Sequence, residues 1–350
     1  MSNSIRAITF TDVNHVEIRT YELGPVGPAD IVVRTRYSMV SSGTELRVLG
    51  GHYGAAGSYP LIPGYSSVGD VIEVGAESAG FRVGDRVSCR NPKPLPGVKS
   101  MWGGQASLQV HVTTGEDRPV LLPAGANLLH YVTAEISAIS LRGVTAAAPR
   151  PGETAVVLGQ GLIGAFSAAW LNAAGCRVIV ADLEEGRLKR AAQWAAATVN
   201  VGDADAEARL MALCNGGADI VVESSGSPKG ALMAYNLVRR KPQNYSTDYK
   251  VEPIQFYGGD WPRLVVQANY IDTISINPFG FFQGEGLTII TPADRGVEDR
   301  QMAIEHYRRG TLKAADFIQT IAAVGDAPET YAALRDDKNH NFSVVFDWEG

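Results

Sequence analysis

The sequence predicts an α/β protein: a doubly wound parallel sheet preceded by a β-rich, barrel-like domain. Three observations predict this. The first 150 residues fall into short valine-rich segments separated by glycine and proline, the pattern of small barrels and sandwiches. From Pro151-Gly152 onward, short wholly apolar segments alternate with alanine-rich helical ones, as in a parallel sheet covered on both faces. Between the first such strand and helix lies a glycine turn, Gly159-Gln160-Gly161-Leu162-Ile163-Gly164.

A chain of 350 residues is too long for one ordinary core and implies at least two domains. We take residues 1–150 as the β-rich domain, 151–290 as the sheet domain and 291–350 as a return to the first. In the β-rich part, residues 31–37 and 67–75 read as strands, and 81–87 as a turn followed by a short strand. In the sheet domain, residues 154–158, 177–181 and 219–223 read as the first three strands, and 165–174, 183–197 and 229–239 as helices. A further strand follows at 263–267. Residues 241–262 break this rhythm with Tyr245, Tyr249, Phe256, Tyr257 and Trp261. So much aromatic surface is not left in water, so we expect an insertion that covers the active-site cleft or a neighbouring subunit.

Composition narrows the function classes. Hydrophobic residues at 45% and charged residues at 19% describe a folded chain rather than a disordered one. A net charge of -6 leaves no basic footprint for nucleic acid. Cys89, Cys176 and Cys214 are few and scattered, without metal-knuckle spacing, which points to a reducing compartment. The N-terminus lacks the apolar stretch of a signal peptide, and no run is long enough for a bilayer. The expectation is a cytoplasmic protein with a small-molecule substrate and no membrane partner.

The glycine turn follows an apolar strand and opens a helix, the context in which such a triplet binds a dinucleotide in a Rossmann fold. Gly159 permits the tight turn, Gly161 lets the backbone approach a pyrophosphate, and Gly164 lets helix pack on strand. Leu162 and Ile163 open the helix, whose N-terminus presents N–H groups and partial positive charge to phosphate. Asp182 stands 182 − 164 = 18 residues past the last glycine, where a carboxylate meets the adenosine ribose. A carboxylate there accepts two hydroxyls and repels a 2′-phosphate, so NAD is favoured over NADP. Arg187 follows in the next helix, facing either the cofactor or solvent. Ser224-Ser225-Gly226 ends the strand at 219–223 and should line the cofactor, since open α/β sheets bind ligands at strand C-termini.

The segments Ser42-Gly43-Thr44-Glu45, Pro63-Gly64-Tyr65-Ser66-Ser67-Val68-Gly69, Val83-Gly84-Asp85-Arg86-Val87 and Gly103-Gly104-Gln105-Ala106, with the glycine turn, resemble the medium-chain dehydrogenase/reductase superfamily over nearly the whole chain. Ser41 to Glu45 and Pro60 to Tyr65 are similar to bacteriochlorophyllide dehydrogenase-like members, and the zinc polyol dehydrogenases are further relatives. The resemblance implies that the β-rich domain is GroES-like and catalytic, and a homo-oligomer, dimer or tetramer, is expected. The catalytic zinc ligands of those relatives are missing. Ser42 stands in place of a cysteine, and Tyr65-Ser66 in place of a histidine–glutamate pair. Glu135 falls near a carboxylate position of the polyol enzymes, and Cys89 stands alone where a structural cysteine quartet would begin. Hydroxyls are poor zinc ligands, so the chain is expected to be metal-free.

Without zinc, hydrogen-bond donors must stabilise the substrate oxygen. Thr44 matches the hydroxyl that relays a proton in the zinc enzymes, and Tyr65 would point into the same pocket as donor or as filler. Ser42 and His52 complete the candidate catalytic set, His52 being either a relay or a surface residue, and Trp102 is expected to shape the pocket wall. The resulting expectation is a zinc-independent NAD(H) dehydrogenase interconverting a secondary alcohol (a sugar, cyclitol or other polyhydroxy compound) and its ketone. Two alternatives stay open. One is a metal-free NAD(P)H reductase of an activated double bond or quinone; the other is a dinucleotide-binding protein without catalysis.

Overall fold

The computed structural model describes residues 4–78, 80–239, 261–270, 273–275, 286–293 and 296–350. The chain divides into two compact units, one formed by Met1–Ile139 with Asp294–Gly350 and the other by Ser140–Ala293.

The first unit is β-rich. β1 (Ser4–Asp12) and β2 (His15–Glu22) form an antiparallel hairpin. β3 (Asp30–Met39) leads into α1 (Ser42–Leu49), then β4 (Leu61–Ile62), β5 (Ser67–Val74), β6 (Arg86–Cys89), β7 (Lys99–Ser100), β8 (Leu108–Val112) and β9 (Val120–Leu121). α2 (Ala134–Ala147) follows. A small sheet has the order β2-β1-β4-β7, and a second has β3 at its centre, paired with β5 and β8. Burial alternates over the first residues of β1 (Ile5 and Ala7 inward, Ser4 and Arg6 outward), as a period of two requires, whereas the start of β3 is buried on both faces from Asp30 to Val33. Ile8 and Phe10 pack with Val48, Leu49, Tyr331 and Phe346, and Phe10 meets Tyr331 edge-on at 5.1 Å.

The second unit is a six-stranded sheet. Its elements are β10 (Thr154–Leu158), α3 (Leu162–Ala173), β11 (Arg177–Asp182), α4 (Glu185–Ala191), β12 (Ala197–Asn200), α5 (Ala206–Leu213), β13 (Ile220–Glu223), α6 (Pro228–Leu237), β14 (Arg263–Val266) and β15 (Thr288–Ile290). The order β12-β11-β10-β13-β14-β15 is parallel throughout. This is the doubly wound Rossmann arrangement, with its reversal point between β10 and β13. Val156, Ile179, Val221 and Leu264 join Leu210, Ala234 and Leu237 in one buried core.

The chain then returns to the first unit through α7 (Val297–Arg308), β16 (Thr320–Ala323), α8 (Ala327–Asp336) and β17 (Val344–Asp347). β17 pairs with β3, and β16 with β17.

Two readings from sequence change. The helix expected over 183–197 ends at Ala191, and Ala197 already opens a strand. Alanine-rich composition favours helix, but Val199 is buried in the sheet core and Ala197–Asn200 pairs in register with Ile179–Asp182. Tertiary pairing overrides propensity, and residues 219–223 therefore supply the fourth strand in sequence. The division between units falls inside α2 rather than near residue 150. From Ser140 onward that helix packs on the sheet unit: Ser140 Oγ donates to Ile163 O at 2.9 Å, and Arg263 Nη1 donates to Ala147 O at 3.2 Å. A Cβ on Gly143 would lie 1.9 Å from Gln267 Oε1. Residues 240–260, most of the aromatic segment read as an insertion, lie outside the described residues. Among the described residues no helix is long and apolar enough to cross a membrane.

Candidate active site

In the β-rich unit the turn from β3 into α1 gathers three hydroxyls. Ser41 is the N-cap of α1, and its carbonyl accepts from Thr44 N at 3.0 Å and Glu45 N at 2.8 Å. A capping serine usually turns its hydroxyl onto a first-turn N–H. Ser41 makes no such bond. Its Oγ shares a hydrogen bond with Tyr65 Oη instead, and the nearby Thr44 hydroxyl favours ionisation of the phenol, against the effect of burial. Gly64, at φ +91, turns the chain immediately before Tyr65. Trp102 and Gly103, both at positive φ, bring the indole against the phenol ring, edge-on at 5.3 Å. Burial pushes the Tyr65 phenol up to about 12, and the charges of Glu45 and Glu135 push it the same way. The phenol is thus held protonated at neutral pH and has a proton to donate.

Two of the four candidate catalytic residues stand apart from this cluster. Ser42 is half-buried at the first position of α1, and its hydroxyl makes none of these bonds; its neighbour Ser41 does. His52 is exposed in the turn after α1, and its ring makes no bond to Tyr65, Thr44 or Ser41. Glu45, which the residue pattern does not single out, is fully buried. Burial raises its carboxyl to about 7, against the lowering effect of hydrogen bonds from Tyr331, Ser41 and Gln105.

The positions that the sequence resemblance sets against zinc ligands carry other commitments. Ser66 Oγ donates to Val132 O at 2.7 Å. Glu135, at the start of α2, is 3% exposed. Its Oε1 accepts from Arg90 Nη1 at 2.9 Å, and its Oε2 lies 3.7 Å from Arg300 Nη1. Arg300 itself is fully buried. Cys89 is buried in the same region, and desolvation pushes its thiol up to about 12, far from a thiolate. A carboxylate ion-paired to guanidinium groups and surrounded by hydroxyls does not fit zinc. Among the described residues no group of three His, Cys, Asp or Glu side chains is arranged to hold a metal ion. Nothing in the sequence announces Arg90 and Arg300 as partners of Glu135, since they lie 45 and 165 residues from it.

In the sheet unit the glycine turn lies at the C-terminal end of β10, beside the reversal point. Gly159 has φ +85, and a Cβ there would lie 2.6 Å from Ser225 N. A Cβ on Gly164 would lie 1.8 Å from Gly159 O, so helix and strand touch through it. Gly161 differs: a Cβ there would meet nothing within 4 Å. It caps α3 without a side chain, so the N–H groups of Leu162 and Ile163 open the helix beneath that space. Asp182 ends β11 with its carboxylate buried; Oδ2 accepts from Gln160 N at 2.5 Å and Oδ1 from Glu184 N at 2.9 Å. Arg187 is half-buried on α4, and its Nε has no hydrogen-bond partner among the described residues.

After β13, Glu223 organises the Ser224-Ser225-Gly226 turn. Its carboxylate accepts from Ser225 N at 2.8 Å, from Ser225 Oγ and from Tyr270 Oη. Ser224 Oγ and Gln160 Oε1 are buried without partners among the described residues. The open space at Gly161, the helix N-terminus and these two orphaned polar atoms fit a dinucleotide.

Residues 27–124 match the alcohol dehydrogenase GroES-like domain, and residues 163–243 match the zinc-binding dehydrogenase family. The sorbitol dehydrogenase of Halalkalibacterium halodurans is 27% identical over 66% of this chain and 72% of its own. The 2-desacetyl-2-hydroxyethyl bacteriochlorophyllide A dehydrogenase of Cereibacter sphaeroides is 25% identical over 98% of each chain. The 2R,3R-butanediol dehydrogenase from Bacillus subtilis shares the fold, with a TM-score of 0.80 at 18% identity, over 99% of this chain and 100% of that one. The two family matches and these relatives indicate an oxidoreductase of the medium-chain dehydrogenase type.

Proposed function

We propose that this chain is a zinc-independent, NAD(H)-dependent dehydrogenase that interconverts a secondary alcohol and its ketone, the substrate being a sugar, cyclitol or other polyhydroxy compound. One observation carries the reading. Tyr65, at the position of a metal ligand in the zinc relatives, is a buried, protonated phenol hydrogen-bonded to Ser41, with the Thr44 hydroxyl near it. Such a group can serve the substrate oxygen in the metal's place. The sorbitol and butanediol dehydrogenases among the similar proteins support an alcohol substrate.

Gly159, Gly161, Leu162, Ile163 and Gly164 would hold the pyrophosphate, Asp182 and Arg187 the adenosine ribose, and Ser224, Ser225 and Gly226 the remaining edge of the cofactor. The dinucleotide, when bound, supplies the hydride acceptor or donor. Asp182 commits one lone pair of each oxygen to a backbone N–H. An ionised carboxylate offers about four acceptor sites, so both oxygens keep room for ribose hydroxyls. In the reducing direction the carbonyl carbon would take the hydride and its oxygen a proton from Tyr65; in the oxidising direction the phenolate would take that proton back from the alcohol, with Ser41 hydrogen-bonded to it and Thr44 beside it.

The test is turnover of sorbitol, xylitol and 2R,3R-butanediol with NAD+ or NADP+, followed by absorbance of the reduced cofactor, before and after chelator treatment. We expect activity with NAD+ that survives chelation. Activity that appears only on adding zinc, or only with NADP+, would refute the proposal.

A further inference from the structure

Glu45 has no exposed surface, although it lies in the first turn of a short helix, where acidic side chains usually face solvent or cap the helix. Burying a carboxylate is costly unless it is well bonded. Three parts of the chain supply donors. Ser41 N donates to Oε1 at 2.7 Å, Gln105 Nε2 to Oε2 at 3.3 Å, and Tyr331 Oη to Oε2 at 2.5 Å. The last bond spans 286 residues of sequence, and Tyr331 is itself fully buried on α8. Gln105 is fixed in turn, since Ser38 Oγ donates to its Oε1 at 2.6 Å and Trp348 Nε1 donates to Ser38 Oγ at 2.7 Å. The carboxylate therefore ends a buried chain of donors anchored in β3, α8 and the C-terminal segment.

One of its three donors leads to the site. Because Glu45 takes the backbone N–H of Ser41, the cap residue is held by a side chain four positions ahead. The Ser41 hydroxyl makes no capping bond and meets Tyr65. We propose that Glu45 is a positioning residue: by holding the Ser41 backbone it aims Ser41 Oγ at the Tyr65 phenol and fixes the direction in which that phenol donates. The catalytic part of this inference rests on the proposed role of Tyr65.

The experiment places 3-fluorotyrosine at position 65 of the full chain and reads its fluorine resonance at one neutral pH without substrate. The fluorine sits beside the hydroxyl and reports its hydrogen bond. Ser41→Ala is expected to move the resonance. Glu45→Gln is expected to move it when Ser41 is present and to add nothing in the Ser41→Ala background. An equal effect in both backgrounds would mean that Glu45 acts by charge alone, and no effect in either would mean that it only supports the fold; both overturn the proposal. If Glu45→Gln does not fold, Tyr331→Phe, which removes one donor to the carboxylate and no member of the hydroxyl cluster, is measured with the same expectations. On the same variants, kcat for polyol oxidation should fall roughly 10- to 100-fold with KM for NAD+ unchanged. A resonance that responds as stated in a protein that oxidises no polyol upholds the positioning and removes the proposed reaction. A fall in kcat with no change in the resonance overturns the positioning.

Discussion

The phenol of Tyr65 and the side chain of Ser41 share a hydrogen bond, and the phenol is held protonated by burial and by two nearby carboxylates. That combination makes the protonated phenol the resting form at neutral pH, a donor in the reducing direction that takes the proton back in the oxidising one. It also explains why the Ser41 hydroxyl does not cap its own helix.

Tyr65→Phe removes the donor and keeps the ring that packs on Trp102. Losing one well-placed donor costs about a hundredfold to a thousandfold in turnover. We expect that loss in kcat with NAD+ affinity nearly unchanged, and a smaller loss for Thr44→Ala. Steady-state kinetics with a polyol, beside NADH titration by fluorescence, separates the two parameters. Near-normal turnover in both variants would show that the hydroxyls merely fill space.

The ion pairing of Glu135 gives a prediction about metal and another about stability. Elemental analysis should find no stoichiometric zinc, and added zinc should restore nothing. Glu135→Gln leaves Arg90 and Arg300 buried beside a neutral amide, and breaking a buried pair from one side costs about 3–5 kcal/mol. The urea midpoint should fall accordingly. About one zinc per chain, lost together with activity, would contradict the first part; an unchanged midpoint would contradict the second.

What is legible in the sequence is what depends on neighbours in sequence. The glycine turn, its strand and its helix lie within twenty residues, and the positive φ of Gly159 and the contact of Gly164 with Gly159 O are properties of the local backbone. Asp182 is legible for the same reason, as the end of the next strand. The hydroxyl cluster is legible to within one residue: the pattern points to Ser42, but the helix begins there, and the N-cap one position earlier faces Tyr65. His52 is a loop histidine with nothing in the sequence to pull it inward, and it stays exposed. Arg90, Arg300 and Tyr331 act on carboxylates 45, 165 and 286 residues away, so only the fold reveals their roles. The strand at 197–200 is hidden by alanines whose helix propensity is outweighed by pairing with β11.

Glu45 and His111 should tilt stability with pH in opposite senses. Glu45 has a folded value of about 7 against an ordinary 4.5. Between these values the folded chain keeps a proton that the unfolded chain releases, so this contribution is full below pH 4.5 and is lost as pH rises through 7. His111 is pushed down to about 3 from 6.5 by burial and by Arg300. Its contribution is present above pH 6.5 and is lost as pH falls toward 3. A tenfold change in proton affinity between folded and unfolded chain corresponds to about 1.4 kcal/mol. Urea unfolding from pH 4 to 8 should show the stability of wild type relative to Glu45→Gln decreasing as pH rises, and relative to His111→Gln increasing. Parallel curves for either pair would refute the corresponding assignment.

Asp182 bears on cofactor choice. Its charge should repel a 2′-phosphate, but its oxygens also hold the Gln160 and Glu184 amides. Asp182→Asn, which removes the charge and keeps one acceptor, is therefore cleaner than truncation. We expect wild type to bind NADH more tightly than NADPH and the variant to narrow the gap. A wild-type preference for NADPH in fluorescence titration would show that the carboxylate serves the turn and not the ribose.

Gly161 and Gly164 separate a ligand's space from the protein's own packing. A Cβ at position 164 would lie 1.8 Å from Gly159 O, a backbone atom that cannot give way without moving the strand end. Overpacking of this kind costs about 1–3 kcal/mol or more, so Gly164→Ala should lower the melting temperature whether or not cofactor is present. Gly161 has φ -67 and ψ -175, angles open to any residue, and a Cβ there meets nothing within 4 Å. Gly161→Ala should therefore melt like wild type without cofactor. Its methyl would stand in the space assigned to the pyrophosphate, so NADH affinity should fall at least about tenfold, equivalent to about 1.4 kcal/mol, and the stabilisation that NADH gives to wild type should shrink with it. Thermal melts with and without NADH read both quantities on one sample. A Gly161→Ala chain that binds NADH as wild type does would mean that the space above Gly161 belongs to no phosphate.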